Sequence, residues 1–292
     1  MRNTDIKASR ALPKMILSMV IFGTIGIFRR SLPLPSEVLA FARGIMGGLF
    51  LLLVMKARRK TFAWDRIRKR DLLFLVITGG MIGFNWILLF EAYNYTTVAV
   101  ATLCYYMQPV IVICLAPLVL HESANAKQVV CVLLSVIGMV LVSGVVGGTQ
   151  QSAGSFKGIA LGLGAAALYA GVVLTNKRIA DIPAYEKTII QLFSAAFVLI
   201  PYMLLRGTLR SYPLSAGGII LLLIVGIVHT GIAYLLYFGA IEGLAARSSA
   251  LLSYIDPVTA VLLSALLLGE SMTGLSILGA VLIIGSAIFS EL

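Results

Sequence analysis

From Gly83 the chain reads G-F-N-W-I-L-L-F-E-A-Y, runs on through Y-Y-M-Q-P-V and reaches L-V-L-H-E at Glu122. From Gly231 it reads G-I-A-Y-L-L-Y-F-G-A-I, then S-Y-I-D-P-V, then L-L-L-G-E at Glu270. Gly83/Gly231, Ala92/Ala240, Tyr106/Tyr254, Pro109/Pro257 and Glu122/Glu270 are each 148 positions apart, with no gap. The same offset links Gly23/Gly171, Arg30/Arg178, Pro35/Pro183 and Met55/Met203. One register held over that distance indicates an internal duplication.

The 292 residues are 60% hydrophobic and only 12% charged, where soluble domains hold about 25% charged residues. Mean hydropathy is +1.01, and apolar runs of about 20 residues recur along the whole chain. This is the composition of a polytopic membrane protein. The net charge of +11 is confined to a few loops and lacks the aromatic interleaving of a nucleic-acid surface, so no nucleic-acid partner is expected. Cys104, Cys114 and Cys131 fall inside apolar segments and read as small core residues, with no disulfide or metal framework.

Ten apolar segments are expected, near 12–28, 35–57, 71–93, 97–120, 126–146, 157–176, 184–206, 215–241, 246–268 and 274–291. Lipid offers the backbone no hydrogen bonds, so each must be helical. Turn residues fill the short connections, at Leu32-Pro33-Leu34-Pro35, Gly147-Gly148, Ile182-Pro183 and Tyr212-Pro213. Two units follow, 1–146 and 157–292, joined by a polar linker at 147–156. The basic start lacks a small-residue cleavage site and reads as a cytoplasmic tail.

Charge sets the orientation. With the N-terminus inside, seventeen Lys and Arg fall in cytoplasmic segments and five outside, which favours both termini in the cytoplasm. Five spans per unit is an odd number, so the second copy must cross in the opposite sense. The copies agree: Lys56, Arg58, Arg59, Lys60, Arg66, Arg68, Lys69 and Arg70 follow the second span, whereas only Arg206 and Arg210 follow its copy. The expected fold is all-α, with ten transmembrane helices as two inverted five-helix repeats around a central cavity, an architecture used by secondary transporters.

These features resemble the ten-helix EamA-type transporters of the drug/metabolite transporter superfamily. The resemblance spans both halves. It rests on F-A-R-G (Phe41 to Gly44), on E-A-Y-N-Y-T-T-V-A-V-A (Glu91 to Ala101), and on Pro109 with Glu122 and their copies Pro257 and Glu270. It implies alternating access without ATP and export of amino acids or related metabolites across the cytoplasmic (inner) membrane. The family also includes sugar-derivative carriers, nucleotide-precursor carriers and multidrug exporters, so substrate stays open. The second half departs from the pattern at Gln191, which stands where the first half has Arg43.

Among candidate site residues, Asp256 stands out. A carboxylate deep in a span costs about 2.5–3.5 kcal/mol to insert and by default faces the protein interior or a water path. Pro257 removes a donor and disfavours helical geometry at Asp256. Its copy is Gln108, also followed by proline, and a pseudo-two-fold axis brings the two positions together at the centre. Trp86, Phe90 and Tyr93 share one helix face, with Tyr234, Phe238 and Ile241 at the copied positions and Tyr237 near the same stripe. Tyr105, Tyr106 and Tyr254 add phenol groups, and Asn85 an amide. Aromatic walls with few polar groups suit an amphipathic small molecule or an ammonium group; ordinary packing and a lipid-interface belt are the alternatives.

Arg43 needs an acceptor, for which Glu37, Glu91 and Asp256 are candidates; it is either a structural clamp or a substrate-carboxylate site. His229 has a side chain suited to proton exchange, or it is a satisfied core histidine. Glu122 and Glu270 end their helices and are expected to cap the next one, in a structural or gating role. Gly23, Gly26, Gly162, Gly164, Gly279 and Gly285 are expected at close helix contacts. No phosphate-binding loop, metalloprotease or serine-hydrolase motif occurs, so neither an enzyme nor a cofactor is expected. The partners expected are lipid, a small organic substrate and, as coupling ion, protons. A broad multidrug or cation exporter, a lipid scramblase and an intramembrane enzyme are the rival readings.

Overall fold

A computed structural model describes residues 2–62, 64, 67–120, 126–142, 156–179, 182–241, 243–244, 249, 252–270 and 272–291. Among them there is helix and no strand. In chain order the helices are α1 (Arg2–Arg30), α2 (Ser36–Ala57), α3 (Lys69–Tyr95), α4 (Val98–Tyr105), α5 (Gln108–Leu120), α6 (Ala126–Val142) and α7 (Phe156–Arg178). Then come α8 (Ala184–Leu205), α9 (Ala216–Leu223), a π-helical segment (Ile224–Ile232), α10 (Ala233–Ile241), α11 (Ile255–Leu268) and α12 (Gly274–Glu291). Among the described residues, seven spans are long and apolar enough to cross a membrane, and α6, α11 and α12 are shorter apolar helices.

The helix starts follow local chemistry. Pro35 and Pro183, 148 apart, are the N-caps of α2 and α8 with nearly equal backbone angles (φ −56° in both). A proline there gives up no helical hydrogen bond, because the first N–H groups have no intrahelical acceptor. Thr97 Oγ1 accepts from the Val100 amide at 3.1 Å, and Ser215 Oγ from the Gly218 amide at 3.2 Å, as N-caps of α4 and α9.

Two of the expected continuous spans are interrupted. The fourth breaks at Tyr106–Met107, between α4 and α5, and the ninth turns at Tyr254 before α11. Asp256 is therefore in the first turn of α11, not well inside a helix. Both breaks lie two to three residues ahead of a proline, which cannot supply the amide a continuous helix would need there; Gln108 and Asp256 themselves are helical, against the expectation for a residue before proline. The eighth span changes to π geometry over nine residues, where no proline and no repeat of residue type announces it.

Helices at copied positions pack against each other, and they do so antiparallel. Gly44 lies against Leu192, 148 positions on, while the Tyr185 hydroxyl donates to the Leu51 carbonyl at 2.8 Å, so α2 and α8 run in opposite directions. Ser135 and Ser286 share a hydrogen bond at 2.6 Å while Gly138 meets Gly279, so α6 and α12 do the same. Val98 pairs with Glu270 and Tyr106 with Asp256, which sets α4 antiparallel to α11. Neighbour relations also exchange: α3 packs on α7 and α8, and the α9–α10 span packs on α1 and α2.

The main core gathers Leu39, Leu51, Trp86, Phe90, Leu192 and Leu199 between α2, α3 and α8. Leu53, Leu118, Leu205 and Leu266 are exposed on the periphery, as expected where the surroundings are acyl chains and not water. Of the six expected contact glycines, five meet a neighbouring helix. Gly285 does not: a Cβ there would touch nothing within 4 Å.

Candidate functional site

The two helix breaks meet. Tyr106, in the turn between α4 and α5, donates its hydroxyl to Asp256 Oδ2 at 2.6 Å, and its ring lies 6.5 Å from that of Tyr254, the residue at the other break. Tyr105 packs on Tyr106 at 5.9 Å and on Tyr169 of α7 at 5.8 Å. Gln108 opens α5 beside the same turn and is half-buried. Pro109 and Pro257 stand in the first turns of α5 and α11, where a missing amide is tolerated.

A second group lies around Arg43. Arg43 as a whole residue is 4% exposed. It sits over the Trp86 ring at 4.1 Å and the Phe90 ring at 5.3 Å, and its Nε donates to Thr230 Oγ1 at 3.0 Å. None of the acidic partners expected for it is engaged; the ion pairs among the described residues are Arg30–Glu270 and Arg68–Asp71. Tyr93, Tyr105 and Tyr234 are its electrostatic neighbours, and Tyr93 and Tyr105 are also neighbours of Asp256. Tyr234 and Tyr237 both pack against Phe238 on α10, at 6.0 and 5.5 Å. Thus the Tyr93 and Tyr105 phenols interact with both a buried cation and a buried carboxylate, which are not paired with each other.

The π-helical segment supplies the floor under Arg43. Widening to π geometry displaces the helix bonding pattern, and both polar side chains there turn back to carbonyls five residues earlier. Thr230 Oγ1 donates to the Val225 carbonyl at 3.2 Å, and His229 Nδ1 lies 3.3 Å from the Ile224 carbonyl. His229 Nε2 is 2.8 Å from Thr24 Oγ1, and the ring packs edge-on against Phe28 at 4.8 Å. Both ring nitrogens are engaged with α1 and the segment's own backbone.

Other expected site residues lie elsewhere. Asn85 is fully buried and donates to the Ala165 carbonyl at 2.6 Å, which pins α3 to α7. Gln191, at the position copied from Arg43, donates to Thr78 Oγ1 at 2.8 Å and Asn176 Oδ1 at 2.9 Å. Glu270 caps a helix, though not the next in sequence. Its Oε2 accepts from the Val98 amide at 2.8 Å at the start of α4 and from Ser264, while Oε1 pairs with Arg30 at 2.9 Å. The next helix, α12, is capped locally by Thr273. The reason is the reversal at Gly269 (φ +65°), which sends the chain back toward α4. Glu122 lies outside the described residues; Arg178, copied from Arg30, donates to the Val119 carbonyl.

Sequence reasoning missed Tyr169, Thr24 and Thr230. Tyr169 was open to notice as the lone aromatic in the small-residue run Gly164 to Gly171. The two threonines carry no such signal. A groove of about 590 Å³ runs over Val76, Gly80, Met81, Phe84 and Leu168 on the flank of α3. Its walls are apolar and it shares no residue with the polar groups at the helix breaks.

The chain matches the EamA-like transporter family twice, over residues 10–144 and 156–291. It is similar to the uncharacterized transporter YxxF of Bacillus subtilis (strain 168), at 33% identity over 94% of this chain and 87% of that one. Protein PecM of Dickeya dadantii (strain 3937) is 28% identical over 89% of this chain and 84% of its own. A protein of solved crystal structure, 19% identical, superposes with a TM-score of 0.67 over 97% of this chain and 96% of the other, a likeness of fold. The chain belongs to the EamA-like transporter family, and with it to the multi-pass membrane proteins that move small molecules.

Proposed function

We propose that this transporter exports a small amino-acid-like or amphipathic organic metabolite by alternating access. The units 1–146 and 157–292 are its two moving halves, ten spans in all, with both termini on the cytoplasmic side of the cytoplasmic membrane. The antiparallel packing of helices 148 positions apart supports the inverted arrangement, since a two-fold axis along the membrane normal would set them parallel. The observation that carries the reading is the Tyr106–Asp256 hydrogen bond, made where the two repeat-related helix breaks meet. Broken helices at the interface of inverted repeats expose backbone groups and hold polar side chains at a depth where lipid would otherwise forbid them.

The mechanism follows from one carboxylate with two competing guests. Asp256 accepts from Tyr106, and its remaining lone pairs can hold either a proton or a donor group of the substrate. Occupancy by one excludes the other, so proton entry and substrate release are coupled at a single site. Rocking of one half about the α2–α8 and α6–α12 crossings opens that site to either face.

The test is flux in reconstituted vesicles with an imposed proton gradient, using metabolites first selected by their thermal stabilisation of the purified protein. Asp256→Asn keeps the shape and the Tyr106 contact and removes the titratable site. It should abolish gradient-driven flux while the melting temperature stays within a few degrees. Undiminished proton-driven flux removes Asp256 from the coupling.

A further inference from the structure

We infer that Arg43 is the carboxylate-binding subsite of this transporter, so that its substrate is an organic monocarboxylate whose far end donates hydrogen bonds. The inference rests on the central site proposed above and names what that site takes.

A guanidinium has five N–H donors and no acceptor. Among the described residues Arg43 satisfies one of them, through Nε to Thr230. The Nη atoms make no hydrogen bond there and, unlike Arg29 Nε, they are not sealed against protein. A buried cation with no counter-ion is costly, and its pairing is worth the more for being out of water. Trp86 and Phe90 meet that cost only in part, because a ring face offsets charge without supplying an acceptor.

What the rings do supply is orientation. Placed over Trp86 and tethered at Nε, the guanidinium keeps its Nη groups free of protein hydrogen bonds, and that edge can receive a carboxylate with two parallel hydrogen bonds. The clamp alternative can be compared directly, at the copied position. Gln191 there spends its amide on Thr78 and Asn176, which is how a structural polar group looks in this protein. Arg43 spends one donor of five.

Charge selects the class further. Apart from Arg43, the titratable groups that interact with it are the phenols of Tyr93, Tyr105 and Tyr234 and the His229 imidazole, with no carboxylate among them, so a monoanion balances the site and a dianionic phosphate would leave excess buried charge. The Tyr106–Asp256 pair, with which Tyr93 and Tyr105 also interact, sets the far end as a donor such as an ammonium or a hydroxyl.

Trp86 provides the readout, since it and Trp64 are the two tryptophans of the chain. In a Trp64→Phe background, Trp86 fluorescence of the purified protein is titrated with phenylacetate, its neutral isostere phenylacetamide, and phenyl phosphate. Phenylacetate should quench saturably, with the amide roughly tenfold to a hundredfold weaker, as for loss of a charge-assisted hydrogen bond. Arg43→Gln should abolish the preference for acid over amide, and Arg43→Lys should keep the preference at reduced affinity. Should Arg43→Gln fail to fold, Thr230→Val removes the Nε tether together with the Thr230–Val225 hydrogen bond, leaves the guanidinium charge in place, and should weaken phenylacetate more than phenylacetamide. Equal binding of acid and amide, tighter binding of the phosphate, an unchanged preference in both Arg43→Gln and Thr230→Val, or no saturable quenching by phenylacetate each overturns the inference. Flux separates the two readings: proton-driven transport of neutral or cationic substrates alone refutes the carboxylate subsite, whereas carboxylate binding without any transport refutes the export mechanism.

Discussion

Alanine at Gly279 and alanine at Gly285 are the same substitution on the same helix, six residues apart, and they should have opposite consequences. A Cβ on Gly279 would stand 2.5 Å from the Gly138 carbonyl oxygen, 2.8 Å from Val142 Cγ2 and 3.0 Å from the Val142 nitrogen. Ordinary contact begins near 3.4 Å, so α6 and α12 would have to part by roughly 1 Å, and two of the three obstacles are backbone that cannot rotate away. Overpacking of this kind costs about 1–3 kcal/mol. Alanine's better helix propensity returns about 0.5–1 kcal/mol, which leaves a net loss of about 0–2.5 kcal/mol at Gly279, toward the upper end because the obstacles are mainly backbone. At Gly285 a Cβ meets nothing, and only the propensity gain remains. With a shift of about 2–4 °C per kcal/mol for a chain of this size, thermal unfolding in detergent resolves the two. Gly279→Ala should melt several degrees below the parent and Gly285→Ala at or above it. Equal melting temperatures, or a loss at Gly285 as large as that at Gly279, would refute the α6–α12 contact.

Three more outcomes are expected. Glu270→Gln removes the ion pair to Arg30, whose side chain is 36% exposed, and should cost about 0.2–1 kcal/mol; Glu270→Ala also strips the acceptor from the Val98 amide and should cost about 1 kcal/mol more. Gln191→Leu leaves buried Thr78 and half-buried Asn176 without their shared partner and should lower stability by about 1–3 kcal/mol in the same melt. Tyr106→Phe removes the donor to Asp256 with the ring kept in place, and should alter the proton dependence of flux far more than the melting temperature.

Legibility at the site divided by range. The duplication, the basic loops and the proline-flanked Asp256 and Gln108 are written as residue types at fixed spacing, and the meeting of Tyr106 with Tyr254 follows from that register. The aromatic stripe was equally readable, and Trp86 and Phe90 do share a face, under Arg43. The partner of that arginine was not readable: Glu37, Glu91 and Asp256 all carry the right charge, yet a threonine from a π-helical segment holds it. Asn85 had the depth of a cavity residue and faces α7 instead, because rotation of α3 about its axis is fixed by packing on α7 and α8.

The sequence by itself determined that the chain crosses lipid in helices, because hydropathy is a local sum and lipid leaves the backbone no other bonds. It also determined that one half repeats the other, because register survives substitution. Only the tertiary structure decided which of two similar glycines touches a neighbour, that Glu270 caps α4 and not α12, and where the helices break or widen. Those outcomes depend on which surfaces approach within a few ångströms, a property of two distant segments together that neither segment carries alone.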